Sequence, residues 1–373
     1  MKSAEISTYL QERIDAGDFP SAVYLVAERG EIVFQDALGF AVVEPEKIEA
    51  NLDTIYDLAS LTKPLVTGLL CAKLIEKGKL NLKDKIIRFF ILFNRENKSE
   101  IAIENLLTHT SGFSAWKPFY LMNDTRLRSV ILALIADQSL ENTLQTRVTY
   151  SDLNFILLRF LIEDLYGGRR FEEIAEKEIF EPLNLRNTSY NPPKDLQKRI
   201  AASERGNEYE KQTCIERGFD VSKYNWREHQ IWGEVHDGNC YFMNGVSGHA
   251  GLFSNVFETF KIARQFLAEE TVLLKPKTCK LFRANFTKGL NEARSIAFQL
   301  AETKDSTASN ALSKDSFGHL GFTGTSLWIE PETKRIFILL TNRTHNRKLP
   351  FANINAVRRR FHELAAQFLN EKN

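Results

Sequence analysis

Cysteine is scarce in this sequence, and its spacing gives no sign of a metal or disulfide framework. The four cysteines, Cys71, Cys214, Cys240 and Cys279, are scattered over 373 residues without a Cys-x-x-Cys pair. Zinc ribbons and disulfide scaffolds need cysteines in close or regular spacing. We therefore expect four free thiols, with Cys71 packed in the core.

A metal site remains an alternative because three histidines, His229, His236 and His249, lie near Cys240 in the sequence. Their spacings match no zinc-ligand pattern. We therefore predict neither a metal nor another cofactor.

The chain also lacks an excess of charge and a long apolar run. Its 49 Lys and Arg nearly balance 48 Asp and Glu, so the net charge is only +1, and 43% of its residues are hydrophobic. Nucleic acids and anionic membranes attract clustered positive charge, so neither is expected as a partner. No segment approaches the ~20 apolar residues of a membrane-spanning helix. This composition predicts a globular protein with a substantial core.

The start of the chain does not resemble a signal peptide. Met1 leads directly into an amphipathic pattern at Ile6, Leu10 and Ile14. A signal peptide would show a charged segment followed by an apolar one. The cytoplasm is therefore the expected compartment, although a chain from which a signal peptide had been removed would look the same.

Several common catalytic motifs are missing. The sequence has no Gly-x-Ser-x-Gly, no His-Glu-x-x-His, no Walker loop and no Gly-x-Gly-x-x-Gly. Their absence argues against an α/β-hydrolase elbow, a zinc protease and the common nucleotide-binding folds.

What is present is a serine three residues before a lysine, Ser60 and Lys63, at the head of an apolar pattern that predicts a helix ending at Gly78. Residues three apart share a helix face, so the Lys63 amine can reach the Ser60 hydroxyl. A serine beside a base is a candidate nucleophile, and the first turn of a helix favours developing negative charge. The alternative is a helix N-cap followed by a solvated lysine. A second Ser-x-x-Lys match, at 114–117, lies in a predicted loop and is interpreted as a chance match.

A second group of candidate residues precedes another predicted helix. Tyr150 and Asp152 flank Ser151, a favourable N-cap before the apolar pattern of residues 153–165. A phenol at that position can relay a proton. The alternative is a tyrosine packed against the helix end.

The third group is His319-Leu320-Gly321, at the start of a predicted strand. A glycine at a strand edge allows another backbone or a substrate to approach closely. A histidine taken singly is more often a satisfied polar residue than a catalytic one.

The order of elements predicts an α+β fold. Predicted strands lie near both chain ends, helices lie between them, and a helix lies at each end. We expect a mostly antiparallel sheet flanked by the terminal helices and split by a mostly helical insertion. The domain prediction is residues 1–58 with 290–373, and residues 59–289, with the active site between them. The long polar stretch at 184–244 is a candidate wall of that site. The more specific expectations include a helix over 82–93 and strands over 293–300 and 320–329.

In this combination and order, the three motifs resemble those of penicillin-recognising serine hydrolases, specifically the class C β-lactamase-like branch. Residues 106–112, Leu-Leu-Thr-His-Thr-Ser-Gly, are similar to a segment typical of that family. Residues 233–237, Gly-Glu-Val-His-Asp, and residues 245–254 resemble a subgroup linked to bacterial cell-wall turnover. The resemblance covers nearly the whole chain and implies the β-lactamase/penicillin-binding transpeptidase-like fold.

This resemblance implies roles for the candidate residues. Ser60 would be the acylated nucleophile, Lys63 its base and Tyr150 a proton relay. His319 and Gly321 would form the third motif, and the N–H groups of Ser60 and Phe322 would form the oxyanion hole. Further substrate-loop candidates are His236, Asp237 and His249.

The implied activity is that of a serine hydrolase that forms an acyl-enzyme from a small-molecule or short-peptide substrate. An esterase, a D-amino-acid peptidase and a weak β-lactamase are all compatible with it. The alternative is a penicillin-binding-like sensor or scaffold without turnover. The presence of all three catalytic candidates favours an enzyme.

Two departures from the β-lactamases concern charge. Asp152 replaces an asparagine, so an acceptor replaces a group that can also donate. His319-Leu320-Gly321 replaces Lys-Thr-Gly, so a permanent cation is lost. We therefore expect poor turnover of penicillins and a preference for substrates without a carboxylate near His319. For Lys63 to act as base, burial or a nearby cation would have to lower its pKa, and either Lys63 or Tyr150 could take the proton.

Overall fold

A computed structural model of the protein describes residues 4–95 and 97–371. Within these ranges the strands are β1 (Ser21–Glu28), β2 (Glu31–Val42), β3 (Ile48–Glu49), β4 (Tyr56–Asp57), β5 (Ser189–Tyr190), β6 (Leu252–Ser254), β7 (Gln299–Leu300), β8 (Phe317–Leu320), β9 (Ser326–Glu330) and β10 (Arg335–Thr341).

The α-helices in the same ranges are α1 (Ala4–Asp15), α2 (Leu69–Glu76), α3 (Ile103–Leu107), α4 (Phe119–Met122), α5 (Arg128–Asp137), α6 (Asp152–Leu165), α7 (Phe171–Ala175), α8 (Glu208–Glu216), α9 (Gly238–Phe242), α10 (Val256–Ala263), α11 (Pro276–Cys279) and α12 (Asn355–Glu371). Two π-helical segments, Lys63–Gly68 and Glu176–Phe180, continue into or from α-helices. Across the two described ranges, no helix has both the length and the apolar run that a bilayer crossing requires.

The main sheet is built from both ends of the chain. Its seven strands lie in the order β3-β2-β1-β10-β9-β8-β7, and each neighbouring pair is antiparallel. Because β1 pairs with β2 on one side and β10 on the other, the N-terminal hairpin and the C-terminal strands form one surface. A second, three-stranded sheet, β4-β6-β5, lies within the helical part.

Strand β1 is buried on both faces of the main sheet. On one face Ala22, Tyr24 and Val26 join a core that includes apolar residues of α1 and α12. Side chains alternate along a strand, so Val23 and Leu25 face the opposite way and join the larger core shared with α2 and α6. The predicted α+β architecture, with terminal helices covering an antiparallel sheet, is confirmed.

The predicted domain boundaries stay a prediction, and their outer ends at residues 1 and 373 lie outside the described residues. The four cysteines are buried free thiols, as expected.

Three local predictions are wrong. Residues 82–93 form only short 3-10 turns at Ile86–Arg88 and Ile91–Phe93, because the Ile86 N–H pairs with the carbonyl of Ile101 instead of within a helix. The strand predicted over 293–300 shrinks to β7, because Ala297 adopts a left-handed φ of +61°. The strand predicted over 320–329 is divided into β8 and β9 by a tight turn.

Candidate active site

Ser60 lies in a single 3-10 turn, Ala59–Leu61, directly after β4. The helix predicted from Ser60 to Gly78 is present, but it is not a uniform α-helix, since this turn is followed by the π-helical segment Lys63–Gly68 and then by α2. Gly78 ends the helix as predicted, with a φ of +67°. π-Helical turns are rare and recur at functional sites. The altered winding still leaves Lys63 on the side of Ser60.

Lys63 is fully buried among polar groups. Its Nζ lies 3.0 Å from Ser60 Oγ, 2.7 Å from Asp152 Oδ1 and 3.2 Å from the carbonyl oxygen of His249. An ammonium has three donors, and this arrangement offers an acceptor to each of them. The predicted contact between Ser60 and Lys63 is present in the structure.

The expectation that the pKa of Lys63 is lowered is wrong for this site. Burial alone would lower it, but the Asp152 carboxylate and the Tyr150 phenol outweigh burial, and the pKa of Lys63 is raised above its ordinary value. Lys63 is therefore an ammonium in the free protein at neutral pH. The cause is Asp152, which replaces the neutral asparagine of the β-lactamases.

Tyr150 lies beside this ammonium, with Lys63 Nζ 4.7 Å from the centre of its ring. Burial raises the pKa of the Tyr150 hydroxyl, and its contacts with Lys63 and Ser60 only partly offset that rise. Asp152 begins α6 and Ser151 occupies the N-cap position, as predicted. The Ser151 hydroxyl accepts no N–H of the helix, however, and donates instead to the carbonyl of Ser114.

His109 was missed as a site residue by the sequence analysis. It is buried, its ring lies 4.6 Å from the Tyr150 ring, and its Nδ1 accepts the N–H of Ser151 at 3.0 Å. Burial lowers the pKa of His109 well below its ordinary value, and nearby Arg294 and Lys63 lower it further, so the ring is neutral. It belongs to the Leu-Leu-Thr-His-Thr-Ser-Gly segment, which was the one sequence signal pointing to it.

Position 321 in the third motif requires a glycine, because neighbouring segments of the chain approach its Cα closely. A Cβ at this position would lie 2.0 Å from Thr325 Oγ1 and 2.6 Å from the carbonyl oxygen of Leu58. The N–H of the next residue, Phe322, donates to no acceptor among the described residues. It is therefore available to a substrate oxygen, which agrees with its predicted role.

His319 is buried in β8, and its Nδ1 donates to the carbonyl of Leu320 at 2.9 Å. Burial lowers its pKa well below the ordinary value, and Lys63 and Arg294 lower it further because they disfavour a third positive charge. The third motif thus presents a neutral imidazole. A lysine at this position would present a cation.

Eight of the ten candidate residues line one cleft of about 680 Å³, a volume typical of small-molecule sites. The other two, Lys63 and His249, are not among its lining residues. Its walls include Ser60, Tyr150, Asp152, His236, Asp237, His319, Gly321 and Phe322, together with Trp116, Tyr209, Glu210, Arg294, Arg343 and Arg358, which were not singled out from the sequence. Tyr209 and Glu210 come from the polar stretch 184–244, which was predicted to form a wall.

The partly exposed Asp237 and the buried His249 form a hydrogen-bonded chain near Lys63. His249 Nε2 lies 3.0 Å from Asp237 Oδ1, and its Nδ1 lies 2.7 Å from Ser247 Oγ. Burial alone would raise the pKa of Asp237, but His249, the N–H of Cys240 and the charge of Lys63 hold it below its ordinary range. Asp237 is therefore a fixed anion in the cleft wall.

His236 has a different environment. Its ring stacks on Phe322 with centroids 5.4 Å apart, and its Nε2 lies 3.3 Å from Glu204 Oε1. Burial alone would lower its pKa, but Glu204 raises it above the ordinary value. The ring therefore packs against the Phe322 side of the cleft, next to the Glu204 carboxylate.

The histidines and Cys240 considered as a metal site do not converge. His236 pairs with Glu204, His229 with Glu234, and the Cys240 thiol with the carbonyl of Ala250. A different set, Asp152, Asp237 and His249, has ligand atoms within 4.8 Å of one another. The Lys63 ammonium already lies against Asp152, so repulsion between like charges opposes a metal ion there. The prediction of no metal stays a prediction.

We expect Asp152→Asn to shift the rising limb of the pH–kcat/KM profile to lower pH. The Asp152 charge raises the pKa of both Lys63 and Tyr150, so its removal lowers both values. Whichever group accepts the Ser60 proton must first be deprotonated, and it would then be so at lower pH. Profiles of both proteins on a neutral ester test this. An unchanged profile, or a shift to higher pH, would show that neither group controls the limb.

The chain is similar in sequence to known proteins. The sequence profile of the family described as Beta-lactamase matches residues 6–359. A protein of Escherichia coli (strain K12), named "Putative D-alanyl-D-alanine carboxypeptidase", is 28% identical over 92% of this chain and 82% of its own length. Its namesake in Salmonella typhimurium is 30% identical over 94% and 84%.

Solved structures share the fold at low sequence identity. EstCE1, described as a hydrolase with promiscuous acyltransferase activity, has a TM-score of 0.73 at 19% identity and covers 96% of this chain and 97% of its own. A class C β-lactamase has a TM-score of 0.72 at 14% identity and covers 98% and 96%. The predicted fold family is confirmed.

Proposed function

Because the chain belongs to the Beta-lactamase family, we propose that its preferred substrates are esters or amides with no carboxylate facing His319. The protein is a serine hydrolase that works through an acyl-enzyme. The observation that carries the substrate preference is the neutral, buried imidazole of His319 at the position where a lysine would bind a carboxylate.

In the proposed reaction either Lys63 or Tyr150 first releases its own proton to solvent, because the pKa of each is raised and both are protonated at neutral pH. Ser60 Oγ then attacks the substrate carbonyl, and its proton passes to the group that was deprotonated. The N–H groups of Ser60 and Phe322 bind the oxyanion. The proton then passes to the leaving oxygen or nitrogen as the ester or amide bond to the carbonyl carbon breaks, and Ser60 is left acylated. A water molecule then attacks the acyl carbonyl in the same way. The bond between Ser60 Oγ and the acyl group breaks, the carboxylic acid is released, and Ser60 regains its hydroxyl proton.

The substrate preference can be tested with two matched esters, phenyl acetate and 3-carboxyphenyl acetate. We expect the native protein to favour the neutral ester. His319→Lys should raise kcat/KM for the carboxylate ester on the order of 10-fold or more, because a charge-assisted hydrogen bond contributes about 1.5–3 kcal/mol. The neutral ester should change little. Equal kcat/KM for both esters, with no gain in the variant, would show that His319 does not set the preference.

A D-alanyl carboxypeptidase activity is the second candidate, favoured by the names of the bacterial relatives. Its substrates end in a carboxylate. Release of D-alanine from a diacetyl-lysyl-D-alanyl-D-alanine peptide, measured beside the two esters, separates the candidates. A higher kcat/KM on the peptide than on phenyl acetate would favour the second one.

A further inference from the structure

Asp57, the last residue of β4, joins three segments of the active site although it does not line the cleft. It is buried, with only 4% of its surface exposed. Its Oδ1 accepts the N–H of Ala59 at 2.9 Å, and its Oδ2 accepts the N–H of His236 at 2.8 Å. Its carbonyl oxygen accepts the hydroxyl of Thr323 at 2.7 Å. One residue is thus bonded to the chain before Ser60, to the loop of Asp237 and to the turn that carries Phe322.

A second link lies beside the first. The carbonyl of Leu58 accepts the hydroxyl of Thr325 at 3.0 Å, and the carbonyl of Thr325 accepts the N–H of Gly321 at 2.8 Å. The absence of a side chain at Gly321 lets these backbones approach. The turn between β8 and β9 is therefore fixed directly to the two residues that precede Ala59 and Ser60.

The backbone before Ser60 needs such support. Ala59 has a φ of +47°, a left-handed conformation that costs an alanine roughly 1–2 kcal/mol. The bond from its N–H to Asp57 holds that conformation and so fixes the direction of the following Ser60 N–H. Burial raises the pKa of Asp57, and the two N–H bonds oppose the rise.

We propose that Asp57 is a positioning residue that fixes the Ser60 N–H relative to the Phe322 N–H, so that both donors meet one substrate oxyanion. The inference rests on the proposed function, because it assumes acyl transfer at Ser60. Asp57 does not line the cleft, and it acts through Ala59 and Thr323. Its contribution belongs to the transition state, because the full oxyanion charge develops only there.

The test is Asp57→Asn, which keeps the shape but places an amide donor against one of two N–H donors. Loss of one oxyanion donor costs ~10²–10³-fold in kcat, so partial misplacement should cost about 10–100-fold with KM nearly unchanged. The inhibition constant of phenylboronic acid, whose Ser60 adduct carries the tetrahedral charge, should rise by a similar factor. A purely structural role would not make these two quantities change together.

Asp36→Asn is the matched control, since Asp36 is also buried and hydrogen-bonded, to Ser7, but lies on β2 away from the cleft. We expect it to keep kcat and the inhibition constant. Thr323→Val removes only the bond to the Asp57 carbonyl and should show the same paired change on a smaller scale. If Asp57→Asn does not fold, Thr323→Val provides the test of the positioning role.

Labelling by a fluorophosphonate probe distinguishes a failure of the Asp57 positioning role from a failure of the proposed function. If the native protein is labelled at Ser60 but the Asp57 and Thr323 variants keep native kcat and inhibition constants, the positioning role is overturned and the proposed function stands. If the native protein is not labelled, the proposed function itself fails.

Discussion

Ser60→Ala is expected to lower kcat on the order of 10⁵–10⁶-fold on any ester that the native protein hydrolyses, because no acyl-enzyme can form without the nucleophile. The residual rate would come from binding and the oxyanion donors alone. Lys63 and Asp152 keep their ion pair in this variant, so the fold is expected to be preserved. The measurement is the rate of hydrolysis of phenyl acetate, with the thermal melting temperature as a check of folding.

Ser114→Ala is the matched control for that result. Ser114 is the other serine in a Ser-x-x-Lys match, and it is buried in an irregular segment where its carbonyl, not its hydroxyl, accepts a bond from Ser151. It should hydrolyse the ester at nearly the native rate. A large loss in Ser114→Ala with an active Ser60→Ala would reverse the assignment.

Tyr150→Phe is expected to lower kcat by ~10²–10⁴-fold with little change in KM, as for loss of a general acid or base. The variant removes only the hydroxyl and keeps the ring that packs against His109 and His319. Its effect therefore reports proton transfer and not packing. Steady-state kinetics on phenyl acetate give both constants.

An unchanged kcat in Tyr150→Phe would contradict the relay role and leave Lys63 as the sole candidate base. Lys63 would then have to lose its proton although the Asp152 carboxylate stabilises its ammonium form. The Asp152→Asn profile and the Tyr150→Phe kinetics together identify the group that accepts the Ser60 proton.

The parts of the fold and site that could be predicted depend on short-range patterns. Strands β1 and β2 are rich in β-forming residues and are joined by the two-residue turn Arg29-Gly30, so strands near this end of the chain could be predicted. Ser60 and Lys63 are three residues apart, and their contact survives the change from an α-helix to a 3-10 turn and a π-helix. In both cases neighbours in sequence decide the geometry.

The parts that could not be predicted depend on distant contacts. The raised pKa of Lys63 is caused by Asp152, which reaches it from another helix. Asp57 has no local motif, because its partners Ala59, His236 and Thr323 come from three segments. Residues 82–93 have helix-like periodicity, but their backbone pairs with the segment around Ile101. Each of these features is set by the tertiary arrangement.

Ser60 is expected to carry the acyl group, and intact-mass spectrometry of the protein during turnover can detect that group. After rapid acid quench of a reaction with a slowly deacylated aryl ester, we expect a mass increase equal to one acyl group. Peptide mapping should place it on Ser60, and Ser60→Ala should show none. Steady hydrolysis by the native protein without an adduct, or an adduct on the peptide that contains Ser114, would contradict the account.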